Sequence, residues 1–156
     1  MGQPISPNYV ENFEDGFSMN PHRRRYGCEL FGVGIDIFKI QRVQDTIKRK
    51  RRNVLEKIFT QNEIQHAKQS GRYAEELASF FAGKEAVFKA LNFSWADGIK
   101  WTEIEIINDE RSPPSVNLMG KAYEVAVSRE IRKFFLSLSY ETDYVICVCI
   151  AMRELN

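Results

Sequence analysis

Acidic and basic side chains interrupt two apolar segments of this 156-residue chain. Asp36 closes the sequence GVGID, inside a β-branched run that predicts a strand. Glu85 and Lys89 lie one turn apart in FFAGKEAVFKAL, residues 80–91, whose apolar residues recur at helical spacing, and Lys84 falls within that apolar stripe. A carboxylate in apolar surroundings needs a partner. Asp36 is therefore either a cap of the following turn or a metal ligand.

The charges on the predicted helix have a purely structural interpretation as well. Glu85 and Lys89 at positions i and i+4 form the ion pair that commonly stabilises helices. Lys84 could lead its ammonium group out of the apolar stripe along its own methylene groups. Spacing alone leaves the structural and the chemical interpretations open.

Other common catalytic patterns are weak in this sequence. The GxG at residues 32–34 lacks the third glycine that a dinucleotide-binding loop needs at its helix. The serines of SLSY, residues 137–140, have no histidine nearby, because the chain has only His22 and His66. Cysteine and histidine spacing typical of zinc sites is also absent. These observations disfavour serine-nucleophile, dinucleotide and zinc chemistry.

The composition is that of a soluble globular protein. Hydrophobic residues make up 44% and charged residues 28% of the chain, and the formal net charge is +1. The chain is long enough for one domain with a core. Three cysteines are too few for a disulfide framework, which favours reduced thiols in a cytoplasm. With no apolar run near the roughly 20 residues that cross a bilayer and no signal peptide, we expect no membrane association.

Periodicity predicts an α+β fold in residues 30–156, preceded by a loose extension over residues 1–29. The predicted strands cover residues 30–38, 101–109, 115–119, 134–140 and 143–152. Four helices are predicted. The first covers about 43–59, the second begins at a Thr60–Glu63 capping box and ends near Gly71, and the others cover 74–91 and 121–133.

A run of five cations, Lys48 to Arg52, lies within the first predicted helix. Such a run usually marks a solvated helix face, but it could also attract nucleic acid or an acidic protein. The net charge near zero and the lack of a nucleic-acid-binding motif disfavour nucleic acid.

Three segments together resemble one family. GVGIDIFKIQRV, FFAGKEAVFKAL and SLSYETDYVICV occur in the order and at roughly the spacing of holo-[acyl carrier protein] synthases, the small 4'-phosphopantetheinyl transferases. The resemblance runs from about Phe31 to Met152. It implies a small antiparallel sheet packed with helices, one long helix carrying the KEA motif, and a homotrimer with active sites at the subunit interfaces.

The resemblance also implies a reaction. The 4'-phosphopantetheine group of coenzyme A would be transferred to a serine of an apo acyl carrier protein, releasing adenosine 3',5'-bisphosphate. Asp36, Glu85 and Lys89 would be catalytic, with Asp36 and Glu85 holding Mg²⁺ and Lys89 beside the diphosphate. Two carboxylates suit magnesium, which keeps water and phosphate oxygens in its remaining positions. Glu85 and a water molecule are alternatives for the base that takes the serine proton.

Coenzyme A would contact Arg72, Lys84, Ser139 and Tyr140, with Lys84 either bracing the site or extending to solvent. The chain departs from the family at two positions associated with the 3'-phosphate: Phe80 replaces an arginine, and Tyr140 replaces a histidine. The alternative to an active transferase is therefore a protein that binds carrier protein or coenzyme A without efficient transfer.

The resemblance places the carrier protein at the first helix. Arg42 occupies the arginine position of GxGxDxxxxxR, where the family binds its carrier, and Arg49, Arg51 and Arg52 of the cationic run would add longer-range attraction. Whether the carrier serves fatty acid or polyketide synthesis is open.

Overall fold

The computed structural model describes residues 27–49, 52–108 and 112–155, which form an α+β fold as the sequence predicts. In chain order its main elements are β1 (Gly27–Lys39), α1 (Ile40–Lys48), α2 (Arg52–Ile58), α3 (Gln61–Gln69), α4 (Tyr73–Ala90), β2 (Ile104–Ile107), β3 (Ser115–Leu118), α5 (Gly120–Ser128), β4 (Ile131–Glu141) and β5 (Tyr144–Leu155). Two short 3₁₀ turns, Trp95–Asp97 and Trp101–Glu103, connect α4 to β2.

The strands form two antiparallel sheets. The larger one has the order β1-β5-β4, so β5 is central and pairs Asp36 of β1 with Cys147, and Ser139 of β4 with Ile146. The smaller sheet is the pair β2-β3. The helix α4 is the longest helix of the described chain, and it packs mainly on β1 and β5.

The two faces of the larger sheet differ sharply in exposure. On the inner face, towards α4, Val145, Cys147, Cys149 and Ala151 are completely buried. On the outer face, large apolar side chains are exposed: Val33, Ile35, Ile37, Phe135 and Ile146. Strand alternation explains the division, but contiguous exposed apolar surface of this kind is unusual on a monomer.

Glycines on the inner face of β1 let α4 lie directly on that strand. A Cβ atom at Gly34 would come within 1.9 Å of the carbonyl oxygen of Ala86, and one at Gly32 within 2.2 Å of that of Ala90. At these two positions the helix therefore rests on strand backbone, with no side chains between them. Asp36, two residues after Gly34 on the same face, is thereby brought towards α4.

The capping box and the buried thiols predicted from the sequence are confirmed. The Thr60 backbone N–H donates to Glu63 Oε2 at 2.8 Å, and Thr60 Oγ1 accepts from the Glu63 N–H at 3.2 Å. Cys147 and Cys149 are free and buried, and burial raises the pKa of each to about 12. They are packing residues and not reactive thiols.

Several predicted boundaries are wrong. The first strand was predicted from residue 30, but β1 begins at Gly27 because β5 continues to Leu155 and pairs with it. The helix predicted over about 43–59 is two helices, α1 and α2, and the strand predicted from residue 101 begins at Ile104 because residues 101–103 form a 3₁₀ turn. The helix predicted over residues 121–133 ends at Ser128, because Glu130 adopts a left-handed backbone with φ 61° and Ile131 already pairs with β5. Residues 1–26 lie outside the described part of the structure, so the loose extension stays a prediction. No helix within the described ranges is long and apolar enough to cross a membrane.

Candidate active site

Asp36 and Lys89, separated by 53 residues in the chain, meet where α4 crosses β1. The Lys89 ammonium donates to Asp36 Oδ1 at 2.8 Å and to the Ile35 carbonyl oxygen at 2.9 Å. The Asp36 side chain is 15% exposed and that of Lys89 48%, so the pair opens to solvent. The partner of the Asp36 carboxylate is therefore Lys89, and the pair remains accessible to a ligand.

Glu85 lies in the same cluster of charges. Burial and the negative charge of Asp36 raise the pKa of Glu85, while Lys89 and Arg42 act in the opposite direction. The Arg42 guanidinium lies over the Phe38 ring, 4.7 Å from its centroid. Two carboxylates and two cations from β1, α1 and α4 therefore share one electrostatic neighbourhood.

The donor chemistry of this cluster fits a hard divalent cation held by few protein ligands. The pKa of Glu85 is raised first by burial and second by the negative charge of Asp36, and a bound cation would favour the charged form of Glu85 against both effects. Throughout the described ranges, no group of three or more His, Cys, Asp or Glu could hold a metal ion. Two carboxylates suit Mg²⁺, which commonly completes its shell with water and substrate phosphate.

Lys84, which the resemblance implied as a coenzyme A contact, is enclosed within the protein. Its side chain is completely buried, pairs with Glu63 Oε2 at 2.9 Å, and donates to the carbonyl oxygens of Trp101, at 3.0 Å, and Ile104. Burial lowers the pKa of Lys84 and raises that of Glu63, although the two charges attract each other. Of the two alternatives for Lys84, extension to solvent is therefore wrong, and the burial of the ammonium is incompatible with contact to coenzyme A.

Arg72 and Tyr140, expected from the resemblance to contact coenzyme A, lie together at the start of α4. Arg72 Nη1 donates to the Tyr140 hydroxyl, its guanidinium lies 5.2 Å from the Tyr140 ring centroid, and Nη2 pairs with Glu76 at 3.1 Å. Ser139 is on the opposite, outer face of β4. One subunit therefore does not bring Ser139 to the other expected contacts.

Phe80 forms part of a pocket that the sequence did not reveal. The pocket has a volume of about 400 Å³ and is lined by Asn62, Glu63, His66, Phe80, Glu105, Ile106, Ile107 and Asn108. Phe80 is almost completely buried, with its ring 5.7 Å from that of His66, and His66 Nε2 lies 3.8 Å from Glu76. Glu76 thus links this pocket to Arg72. Among these residues the sequence had singled out Glu63, as part of a helix cap, and Phe80, as a departure from the family.

The cationic run is only partly described. Arg49, at the end of α1, is exposed, whereas Arg51 and the side chain of Arg52 lie outside the described part of the structure. Their role at a carrier protein stays a prediction.

The comparisons with known proteins agree with the fold. The 4'-phosphopantetheinyl transferase superfamily matches residues 32–149. A holo-[acyl-carrier-protein] synthase of Caldanaerobacter subterraneus is 38% identical over 128 residues, 82% of this chain and 98% of the relative. The crystal structure of a Plasmodium yoelii holo-ACP-synthase, 30% identical, superposes with a TM-score of 0.70 over 81% of this chain and 98% of the other.

A Helicobacter pylori holo-[acyl-carrier-protein] synthase, solved in complex with coenzyme A, is 28% identical. It superposes with a TM-score of 0.65 over 76% of this chain and 98% of the other. The α+β fold and the curated relatives are those of a group-transfer enzyme. This chain belongs to the 4'-phosphopantetheinyl transferase superfamily.

Proposed function

We propose that this enzyme transfers 4'-phosphopantetheine from coenzyme A to a serine of an apo acyl carrier protein, with Mg²⁺ bound by Asp36 and Glu85. The observation that carries the proposal is the convergence of Asp36, Glu85 and Lys89 where α4 crosses β1. The names of the relatives and the coenzyme A complex of one of them support the choice of substrates.

In the proposed reaction the serine oxygen attacks the phosphorus that carries pantetheine. The new bond joins that phosphorus to the serine, the bond to the adenosine 3',5'-bisphosphate leaving group breaks, and the serine proton is released. Bound Mg²⁺ would neutralise diphosphate charge and align the attack. Lys89, whose ammonium is oriented by the Ile35 carbonyl, would offset charge on the leaving phosphate, and Arg42 would add positive potential.

One assay tests this proposal against binding without transfer. The protein is incubated with coenzyme A, Mg²⁺ and an apo acyl carrier protein, and the mass of the carrier is measured. A gain of one phosphopantetheine group, with release of adenosine 3',5'-bisphosphate, is expected. Saturable binding of both substrates with an unchanged carrier mass would show the catalytically weakened alternative.

The donor's 3'-phosphate should matter little to this enzyme. Phe80 is buried and uncharged, and Arg72 is already engaged by Glu76 and Tyr140. A charge-assisted contact to phosphate is worth about 1.5–3 kcal/mol. Because this enzyme lacks such contacts, removing the 3'-phosphate from the donor should cost little binding free energy. We expect 3'-dephospho-coenzyme A to be used with a kcat/KM less than about 100-fold below that of coenzyme A, since 1.4 kcal/mol corresponds to a tenfold change.

Tyr140→His supplies the matched variant for this comparison, because position 140 is half exposed and accepts a new side chain readily. The histidine should widen the preference for coenzyme A over the dephospho form. A preference of 100-fold or more in the unmodified enzyme would mean that other residues hold the phosphate.

We also propose a homotrimer, with each site completed by a neighbouring subunit. The exposed outer face of the larger sheet, with Ile35 and Ile37 each about 60% exposed, supports burial against another copy of the chain. Light scattering should give three times the chain mass. Ile37→Asp should dissociate the assembly, whereas Ile107→Asp, at an exposed apolar position on β2, should not. A fully active monomer would contradict this arrangement.

The carrier protein is proposed to bind at α1 through Arg42, with Arg49, Arg51 and Arg52 acting at longer range. Attraction at a rim raises association rates and is screened by salt. Neutralising Arg49, Arg51 and Arg52 together should raise the KM for the carrier at low salt, with little change in the KM for coenzyme A. Arg42→Ala should raise the KM for the carrier more than neutralising any one of those three arginines. A triple variant with a normal KM for the carrier would show that the cationic run is only a solvated helix face.

The proposed location is the cytoplasm, in keeping with the free cysteines. Carriers of fatty acid and of polyketide synthesis are both compatible with this site.

A further inference from the structure

The ammonium group of Lys84 connects three elements inside the protein. Its three donors are all used, by Glu63 Oε2 at 2.9 Å and by the carbonyl oxygens of Trp101, at 3.0 Å, and Ile104. Glu63 in turn accepts from the Ile106 N–H at 2.8 Å, as well as from Thr60. α4 is therefore fastened to the start of α3 and to β2 by buried, directional bonds.

On its other side α4 is attached to β1 by the Lys89 bonds to Asp36 and to the Ile35 carbonyl oxygen, and by a contact between the Phe81 and Phe38 rings, whose centroids are 4.6 Å apart. Where the helix rests on Gly32 and Gly34, opposite Ala86 and Ala90, the strand offers no side chains that interdigitate with it. Interdigitating ridges and grooves are what normally fix how far a helix is translated along its neighbour. At this contact, backbone packing limits the approach of α4 to β1 but does little to fix its axial position.

The charge cluster depends on that axial position. Glu85 and Lys89 act together with Asp36 only if α4 presents them at the level of Asp36 on β1, as the 2.8 Å bond between Lys89 and Asp36 shows. A displacement of about 1 Å is enough to impair catalysis in a preorganised site.

We propose that Lys84 is a positioning residue: through its buried bonds to Glu63 and to the carbonyl oxygens of Trp101 and Ile104, it sets the axial position of α4 that aligns Glu85 and Lys89 with Asp36. Lys84 itself contacts neither substrate nor metal. This inference rests on the proposed function for its catalytic consequence, but its structural content does not.

The test uses Lys84→Met, alone and combined with Glu63→Gln. Methionine keeps the length of the apolar stem, and the second change avoids leaving a buried carboxylate without its partner, which often prevents folding. Three properties are measured: the Lys89 Nζ to Asp36 Oδ1 distance in a crystal structure, Mn²⁺ affinity by titration calorimetry without coenzyme A, and kcat and KM for transfer.

We expect the double variant to fold with the Lys89–Asp36 hydrogen bond broken. Its Mn²⁺ affinity should fall by about 10- to 100-fold, the range typical for loss of residues that support metal ligands. kcat should fall with little change in KM for coenzyme A. Leu55→Ala, which removes a buried side chain on α2, is the control for lost stability and should preserve all three properties below its unfolding temperature.

A double variant that keeps the 2.8 Å bond and normal Mn²⁺ affinity while only its melting temperature falls would overturn the proposal. Lys84 would then be a stabilising residue and nothing more. If the unmodified protein neither binds Mn²⁺ nor transfers the group, it is the proposed function that fails, and the Lys89–Asp36 distance in the variant still decides whether Lys84 positions α4.

Discussion

Asp36→Ala and Glu85→Ala should each reduce transfer to the carrier protein by on the order of a thousandfold while leaving the protein folded. A metal ion at such a site contributes several kcal/mol of charge stabilisation, and about 1.4 kcal/mol corresponds to a factor of ten. Neither side chain belongs to the buried core, so its removal should cost little stability. The measurement is kcat/KM from the mass of the carrier, together with thermal unfolding. Chelation should cause the same loss, reversed by added Mg²⁺.

Asp36→Asn and Glu85→Gln refine this experiment because they keep the size of each side chain and remove only its charge. Both should resemble the alanine variants if the charge is what matters. Glu75→Gln, in the first turn of the same helix, is the matched control and should transfer normally. Turnover close to that of the unmodified enzyme in Asp36→Ala or Glu85→Ala, at saturating Mg²⁺, would refute the metal assignment.

The core of the site could be predicted from the sequence because its two segments resemble those of one family. A carboxylate inside an apolar strand needs a partner, but a Glu-Lys pair at positions i and i+4 is common, so the resemblance, and not spacing alone, implied a single site. The structure joins Asp36 to Lys89 through a hydrogen bond and couples Asp36 electrostatically to Glu85. The long helix was also predictable, since its periodic pattern and the capping box of α3 before it depend on neighbouring residues only.

The role of Lys84 could not be predicted, because it depends on partners far along the chain. A lysine within an apolar stripe normally extends to solvent. Here the carboxylate of Glu63, which also closes a capping box, pairs with the ammonium. Trp101 in the turn before β2 and Ile104 at the start of β2 each direct a carbonyl oxygen towards it. The periodicity of apolar residues contains no information about such long-range contacts of a side chain. The same limit applies to the pocket at Phe80, which is assembled from α3, α4 and β2.

Gly34→Ala is expected to have the largest effect on the fold and on the site together. A Cβ atom at position 34 would lie 1.9 Å from the Ala86 carbonyl oxygen and 2.7 Å from the Ala90 nitrogen, both backbone atoms of α4. Backbone atoms cannot turn aside as a flexible side chain can, so α4 must move away from β1. Overpacking typically costs 1–3 kcal/mol and occasionally more, and we expect about 3 kcal/mol or more here.

Gly83→Ala is the matched control, because it adds the same methyl group on the side of α4 that faces β2. Its Cβ atom would meet only side-chain atoms of Ile106, the nearest at 2.9 Å, and alanine is favoured over glycine within a helix by about 1 kcal/mol. Denaturant unfolding should therefore show a small change for Gly83→Ala and a large loss for Gly34→Ala. Where Gly34→Ala remains folded, its transfer activity should still be low, because separating α4 from β1 pulls Lys89 and Glu85 away from Asp36. A Gly34→Ala protein with unchanged unfolding midpoint and normal kcat would show that α4 does not lie on the backbone of β1.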